Sequence, residues 1–252
     1  MQDKHYYGCC ACIGAMGAGL ISKMTFMKNK NGFVFNLFIP GIIETTTSDG
    51  EKIVFKVVTE YPKTGNVKIQ INMDSKKEFS VLLRNPEWSR KTQVSVNDIP
   101  GKDNWGYIFI NQLWKDGDII EINFDMTARA LYPISYGEQI LMNVLIWGQN
   151  YMVSSFDRED PQAKDCIAIQ KGPLILAIEN RLGHDVDKPL PIKINEDHTI
   201  DTYIDKDIAI YKHIAAFTIP LADGKTVMVT DYASAGKLWN DKSKMAAWIR
   251  LK

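Results

Sequence analysis

Most of the chain alternates between apolar and polar residues with a period of two, which is typical of β-strands with one buried face. Clear examples lie at residues 67–72, 79–84 and 120–125. Short turn sequences that each contain a glycine separate such runs: SDGE at 48–51, KTGN at 63–66, KDGD at 115–118 and ADGK at 222–225. Strands at this spacing, without helical patterns between them, predict an all-β fold of antiparallel β-sandwiches.

The N-terminal segment follows a helical period instead. Between residues 10 and 24, apolar side chains recur at spacings of three, four and four, at Ile13, Met16, Leu20 and Met24. The glycines in GAMGAGL, at 14–20, are in the wrong order for a dinucleotide fingerprint, and the lysine of a phosphate-binding P-loop is missing. We therefore interpret them as small residues that let this helix approach a neighbour closely.

The second half of the chain shows a further set of strand patterns. A polar stretch at 148–164 precedes strand-like runs at 166–169, 174–178, 208–219 and 226–230, and a proline-containing polar loop covers 183–197. The composition changes near Tyr132 and Pro133. We predict three segments: a short N-terminal helix at 1–24, a first β-sandwich at 25–130 and a second β-sandwich at 131–252.

Composition and charge narrow the functional classes. Hydrophobic residues make up 45% of the 252 residues, and 30 basic residues balance 30 acidic ones. A net charge of zero argues against nucleic-acid or membrane-surface partners held by electrostatics. The longest apolar runs, such as 140–147, are far shorter than the roughly 20 residues of a membrane helix. The first residues, MQDKHYYG, lack the apolar run of a signal peptide, so the compartment stays unknown.

Three of the four cysteines are clustered at Cys9, Cys10 and Cys12, whereas Cys166 is far away in sequence. This spacing does not suit a disulfide framework, and a structural zinc site needs four ligands, usually in two separated pairs. Three interpretations of these cysteines remain open. The thiols form half of a zinc site, they are reactive because a helix N-terminus favours the thiolate, or they are buried and inert.

Other candidate chemistry is weaker. The four histidines show no metal-binding spacing, and the GxSxG motif of serine hydrolases is missing. Acidic clusters at 156–160 and 184–187 are interpreted as solvated loops. Six tryptophans could stack on sugar rings or serve as core anchors. They are Trp88, Trp105, Trp114, Trp147, Trp239 and Trp248.

An ordered series of segments extends over almost the whole chain and begins with the Cys-Cys pair in GCCACIG. The further segments are GFVFNLFIPG at 32–41, TEYPKTGNVKIQI at 59–71, FSVLLRNPEW at 79–88, VSVN at 94–97, GYIFINQLWKDGDIIEI at 106–122, IAIQKGPLILAIE at 167–179 and TDYASAGKLW at 230–239. In this order and spacing they resemble the C-terminal portion of the β-L-arabinofuranosidase family of glycoside hydrolases (family 127).

The resemblance implies a larger architecture, in which an (α/α)6 barrel with the active site precedes two β-sandwiches. It implies that residues 1–24 are a remnant of the last barrel helix. Cys9 would be the nucleophile and a zinc ligand, and Cys10 a second zinc ligand. In such a retaining enzyme the thiolate attacks the anomeric carbon, while a glutamic acid protonates the leaving oxygen. Arabinofuranoside glycans would be the substrates.

The same resemblance implies an incomplete site. The family's other zinc ligands and its acid/base glutamate precede the Cys-Cys pair, and only eight residues precede Cys9 here. We therefore expect this chain to be inactive alone, to hold zinc poorly and to need a catalytic barrel in cis or in trans. The role of Cys12 stays open. The alternative hypothesis is a non-catalytic β-sandwich module that binds carbohydrate or protein through exposed aromatic side chains.

Overall fold

A computed structural model describes residues 8–101, 106–133, 142–146, 149–153, 164–204, 215–236 and 240–252. Of residues 8–10, 142–146 and 149–153 it describes the backbone only. The chain divides into two compact units, residues 1–126 and residues 127–252. Each unit has a hydrophobic core of its own.

The described part of the first unit starts with helix α1 (Gly8–Thr25) and continues in strands and turns. Its strands are β1 (Phe26–Asn29), β2 (Gly32–Phe35), β3 (Gly41–Thr46), β4 (Lys52–Thr59), β5 (Asn66–Met73), β6 (Lys77–Asn85), β7 (Gln93–Val96), β8 (Ile99–Pro100), β9 (Gly106–Trp114) and β10 (Ile119–Asn123). They form a four-stranded sheet in the order β1-β2-β6-β9 and a six-stranded sheet in the order β3-β4-β5-β10-β7-β8.

Aromatic rings from both sheets fill the centre of the first unit. Phe33 lies on the four-stranded sheet and Phe55 on the six-stranded sheet, and their ring centroids are 5.1 Å apart in an edge-to-face arrangement. Phe79 stacks on Trp114 at 5.6 Å, and the Trp114 indole Nε1–H donates to the carbonyl oxygen of Phe79 at 2.9 Å. Burying rings of this size is the dominant favourable term in the stability of a sandwich.

One strand pair in this unit departs from the antiparallel pattern. β2 and β6 are parallel, with Gly32 opposite Ser80. The two backbones approach so closely there that a Cβ on Gly32 would lie 1.8 Å from the carbonyl oxygen of Ser80. A glycine is therefore required at position 32 by space rather than by backbone conformation.

The described part of the second unit is also built mainly from strands, with a 3₁₀ turn at Asn180–Leu182. The strands are β11 (Ala128–Leu131), β12 (Met142–Ile146), β13 (Gln149–Val153), β14 (Cys166–Lys171), β15 (Leu174–Glu179), β16 (Thr199–Ile200), β17 (Tyr203–Ile204), β18 (Ala216–Pro220), β19 (Thr226–Asp231), β20 (Met245–Ala246) and β21 (Ile249–Arg250). The central sheet follows the order β16-β11-β14-β15-β19-β18-β17, while β20 pairs with β15, β21 pairs with β14 and β12 pairs with β13.

Two buried carboxylates in the second unit hold the turn that follows β19. Asp231 accepts hydrogen bonds from the backbone N–H groups of Ala215, at 3.1 Å, and Ser234, at 2.9 Å. Glu179 accepts one from the N–H of Gly236 at 2.9 Å and pairs with Arg181. Both acids are fully buried, which is tolerated because each is hydrogen-bonded. Their contacts belong to the fold.

The predicted fold class is confirmed: the chain is all-β, with two sandwich-like units and one N-terminal helix. The helix extends from Gly8 to Thr25. Residues 205–214 of the strand predicted at 208–219 lie outside the described residues. Among the described helices, none is long and apolar enough to cross a membrane.

Candidate functional site

The Cys-Cys pair lies in the first turn of α1, which begins at Gly8 and runs for 18 residues. The unpaired backbone N–H groups of a first helical turn favour a nearby negative charge. This is the position for which reactive thiols are one of the open interpretations.

Zinc, the metal that the family resemblance implies, can be tested against the donors that are present. Cys9 and Cys10 supply the thiolate ligands that zinc prefers. Neighbouring helical positions differ by about 100° around the axis, and only the backbone is described at these two residues. Cys12 is on the same helix and is exposed. Within the described ranges, no three histidine, cysteine or acidic side chains come together as a metal site.

The rest of α1 carries apolar side chains that stay exposed. The exposed fraction is 68% for Ile13, 66% for Met16 and 47% for Leu20. A Cβ built on any of the three helix glycines, Gly14, Gly17 or Gly19, would meet no described atom within 4 Å. The close packing that we interpreted from these glycines is therefore not made by the described part of the chain.

Only the C-terminal end of α1 is tied to the sandwich by the described hydrogen bonds. The side chain of Asn36 donates from Nδ2 to the carbonyl oxygen of Met24 at 2.8 Å. The backbone N–H of Asn36 donates to the carbonyl oxygen of Thr25 at 3.0 Å. These bonds fix the point where the helix enters β1, while the turn that carries Cys9 is the far end of the helix.

The tryptophans divide between core and surface. Trp114 is fully buried, whereas Trp248 is 52% exposed on the second unit. Trp88 is partly buried, stacked on Tyr61 with a centroid distance of 6.4 Å and packed against Phe124 at 5.6 Å. Trp105, Trp147 and Trp239 lie outside the described residues. An aromatic platform on the first unit therefore finds no support from Trp88 or Trp114.

The acidic stretch at 184–187 forms surface ion pairs. Asp185 pairs with Lys188 at 3.1 Å, and Asp187 pairs with Lys244. The hydrogen bond that Asp185 accepts from Lys188 lowers the pKa of Asp185, and the hydrogen bond that Lys244 donates to Asp187 raises the pKa of Lys244. Burial lowers the pKa of the neighbouring His184. The other acidic cluster, at 156–160, lies outside the described residues.

A match to a family model lies within the first unit. Residues 32–126 match the model of the "Beta-L-arabinofuranosidase, GH127 middle domain". The expected resemblance to GH127 is confirmed. The matched range starts at β2 and ends where the first compact unit ends. No curated protein sequence matches the chain.

Solved structures share the fold over nearly the whole chain. A GH127 β-L-arabinofuranosidase from Geobacillus stearothermophilus T6 superposes with a TM-score of 0.67 and 18% identity, over 96% of this chain. A glycoside hydrolase gives 0.64 and 20% over 97% of this chain, and a GH127 β-arabinofuranosidase gives 0.62 and 19% over 90%. The chain spans 38%, 40% and 36% of their lengths.

Proposed function

We propose that this chain is the β-sandwich part of a zinc- and cysteine-dependent retaining glycoside hydrolase that acts on L-arabinofuranosides. The observation that carries the proposal is the match of residues 32–126 to the GH127 middle domain, together with the fold shared with GH127 enzymes. The chain spans at most 40% of the length of these three relatives. In this proposal the catalytic centre includes groups that these 252 residues do not supply.

In this proposal the chain contributes two thiols to that centre. Cys9 and Cys10 would hold zinc, which when bound lowers the pKa of a thiol. In this proposal Cys9 acts as a thiolate. That thiolate attacks the anomeric carbon, and the bond from this carbon to the leaving oxygen breaks. The proton for the leaving oxygen comes from a carboxylic acid of the complete protein.

Two exposed apolar surfaces of the first unit support a larger assembly. One is the uncovered apolar side of α1. The other is a row of side chains that crosses the four-stranded sheet, in which neighbouring strands place Met27, Val34, Leu82 and Phe109 side by side. Met27 is 48% exposed and Phe109 is 58% exposed. Exposed apolar surfaces are common where another protein element packs.

The activity of the isolated chain is the first test. We expect no hydrolysis of 4-nitrophenyl β-L-arabinofuranoside and substoichiometric zinc after dialysis. Turnover by the chain alone that disappears in Cys9→Ala would contradict the expected inactivity.

The thiols provide a second readout that does not depend on activity. We expect excess zinc to slow alkylation of Cys9 and Cys10 by iodoacetamide, as followed by mass spectrometry. Cys12 on the same helix is the internal control and should react at an unchanged rate. Equal protection of all three thiols, or protection of none, would count against the assigned zinc ligands.

A further inference from the structure

A groove of about 1020 Å³ crosses the outer face of the six-stranded sheet in the first unit. Its floor is built from β5, β10 and β7. Alternate residues of these strands, such as Val67 and Ile122, are buried in the core, so the residues between them point outwards. The end of β4 at Thr59 and the loop that follows it line one side, and Pro100 and Gly101 line another.

Three amide side chains stand side by side in the groove. Asn66 is opposite Asn123 in the β5–β10 pair, and Asn123 is opposite Gln93 in the β10–β7 pair. Neighbouring strands are about 4.8 Å apart, so the amides repeat at roughly that spacing across the groove. All three residues are exposed, and no hydrogen bond within the described structure uses their side chains. Each amide thus has both a donor and an acceptor available.

The next row of the groove carries charges that neutralise each other. Lys68 Nζ lies 3.1 Å from Glu121 Oε1, with Ser95 on the far side of Glu121. Lys68 is the only cation among the described lining residues, and Glu60 is their only other charged side chain. A phosphate or carboxylate ligand needs cations that are not already paired. The groove therefore suits a ligand without charge.

Hydrogen bonds of one side-chain hydroxyl and a close backbone approach hold one side of the groove. Thr59 Oγ1 donates to the carbonyl oxygen of Asn66 at 2.6 Å and accepts from the N–H of Tyr61 at 2.9 Å. At Gly65 an added Cβ would lie 2.3 Å from the carbonyl oxygen of Phe124. The loop therefore sits directly against the end of β10. A groove with fixed sides loses little conformational entropy when a ligand binds.

We propose that this groove binds a neutral oligosaccharide. Amide and carboxylate groups can each bridge neighbouring hydroxyls, and the row of three amides meets a polyhydroxylated chain at several points. Val58, which is 52% exposed, and Pro100 offer apolar surface to the C–H faces of sugar rings. The volume is at the top of the roughly 300–1,000 Å³ range of ligand pockets, which leaves room for more than one sugar unit.

This inference goes beyond the proposed function, because the groove lies in the first sandwich and uses neither zinc nor Cys9. It also assigns carbohydrate binding to amides instead of aromatic rings. The described lining residues include no aromatic side chain. A base or other flat ring, which proteins commonly hold by stacking, is correspondingly a poor fit. Without stacking, we expect weak binding of the sugar chain.

Affinity electrophoresis with soluble arabinan, xylan and galactan as separate probes tests the proposal on the full chain. We expect at least one of the polymers to retard the wild-type chain. The variant Asn66→Ala/Gln93→Ala/Asn123→Ala should bind that polymer at least tenfold more weakly. Its fold should be retained, because the three side chains are exposed and support no described hydrogen bond; circular dichroism checks this.

Gln70→Ala is the matched control, because Gln70 lies on the same face of β5 but does not line the groove. It should bind as the wild type does. Failure of all three polymers to retard the wild type would overturn the proposal, as would equal losses in Gln70→Ala and the triple variant. Cys9→Ala should keep full binding of the polymer. A failure of the groove proposal can therefore be distinguished from a failure of the proposed hydrolase function.

Discussion

Helix α1 and the core of the first sandwich are both rich in apolar residues and both contain glycines, yet they use them differently. In the sandwich, Phe33 and Phe55 are almost completely buried and Gly32 permits a backbone contact. On α1, Met16 is 66% exposed and the Cβ position of Gly17 is open. The same residue types thus stabilise the sandwich by packing, whereas on α1 they remain exposed.

The largest expected difference between these regions comes from removing a buried ring. Phe55→Ala leaves a cavity among Phe33, Phe35 and Phe79 and should lower the free energy of unfolding of the first unit by about 3–5 kcal/mol. Met16→Ala on α1 should change it by less than about 0.5 kcal/mol. Urea unfolding measures both, with hydrogen exchange of β4 peptides to assign the loss to this unit. Similar losses in the two variants would contradict the comparison.

Glycine-to-alanine substitutions in the two regions should change stability by smaller amounts and in opposite directions. Gly32→Ala forces β2 and β6 apart at Ser80 and should cost about 1–3 kcal/mol, the range of overpacking substitutions. Gly17→Ala meets no described atom and should raise helix stability by up to about 1 kcal/mol, because alanine is the better helix former. Thermal unfolding followed by circular dichroism distinguishes them. A destabilising Gly17→Ala would mean that α1 is already closely packed.

The smallest effect concerns a turn at the edge of the sandwich. Asp49 pairs with Lys77 and accepts a hydrogen bond from Thr47 Oγ1 at 2.6 Å, and these contacts lower its pKa to about 2. A carboxyl with a lowered pKa contributes stability that is complete above its unfolded value, near 3.8, and is lost as the pH falls through 2.

Asp49→Asn should therefore lower the urea midpoint slightly at pH 6, and the difference from the wild type should shrink towards pH 2. Asp223 lies in the equivalent glycine turn of the second unit and is the control position. Its Oδ2 is 3.9 Å from Lys225 Nζ, so its ion pair is looser than that of Asp49. A difference in midpoint that is independent of pH would show that the ion pair with Lys77 does not cause it.

Sequence patterns predicted the strands well because a half-buried strand alternates in a way that the residues display directly. They could not give the partners of those strands. The parallel pairing of β2 with β6 depends on Gly32 meeting Ser80, 48 positions further along the chain. In β9 both faces are rich in apolar residues, so alternation alone does not reveal that Ile108 is buried while Phe109 is exposed.

The candidate sites differ in the same way. Cys9 and Cys10 are adjacent in sequence, so the pair was visible from the residues, although its catalytic role came from the resemblance. The amide row was missed because Asn66, Gln93 and Asn123 come from three separate strands and meet only through the strand register. A search for polar residues at outward positions of consecutive strand patterns could have flagged each residue, but not their alignment.

The parallel pairing of β2 and β6 also bears on how the first unit folds. No hairpin can join two parallel neighbours, and here β3, β4 and β5 lie between them in the chain. Neighbours that are close in sequence, such as β4 and β5, can pair early at a low cost in loop entropy. The β2–β6 contact has to wait until this meander has brought its ends together. We therefore expect the four-stranded sheet to be completed late in folding, and the docking of β2 on β6 to limit the folding rate of the first unit.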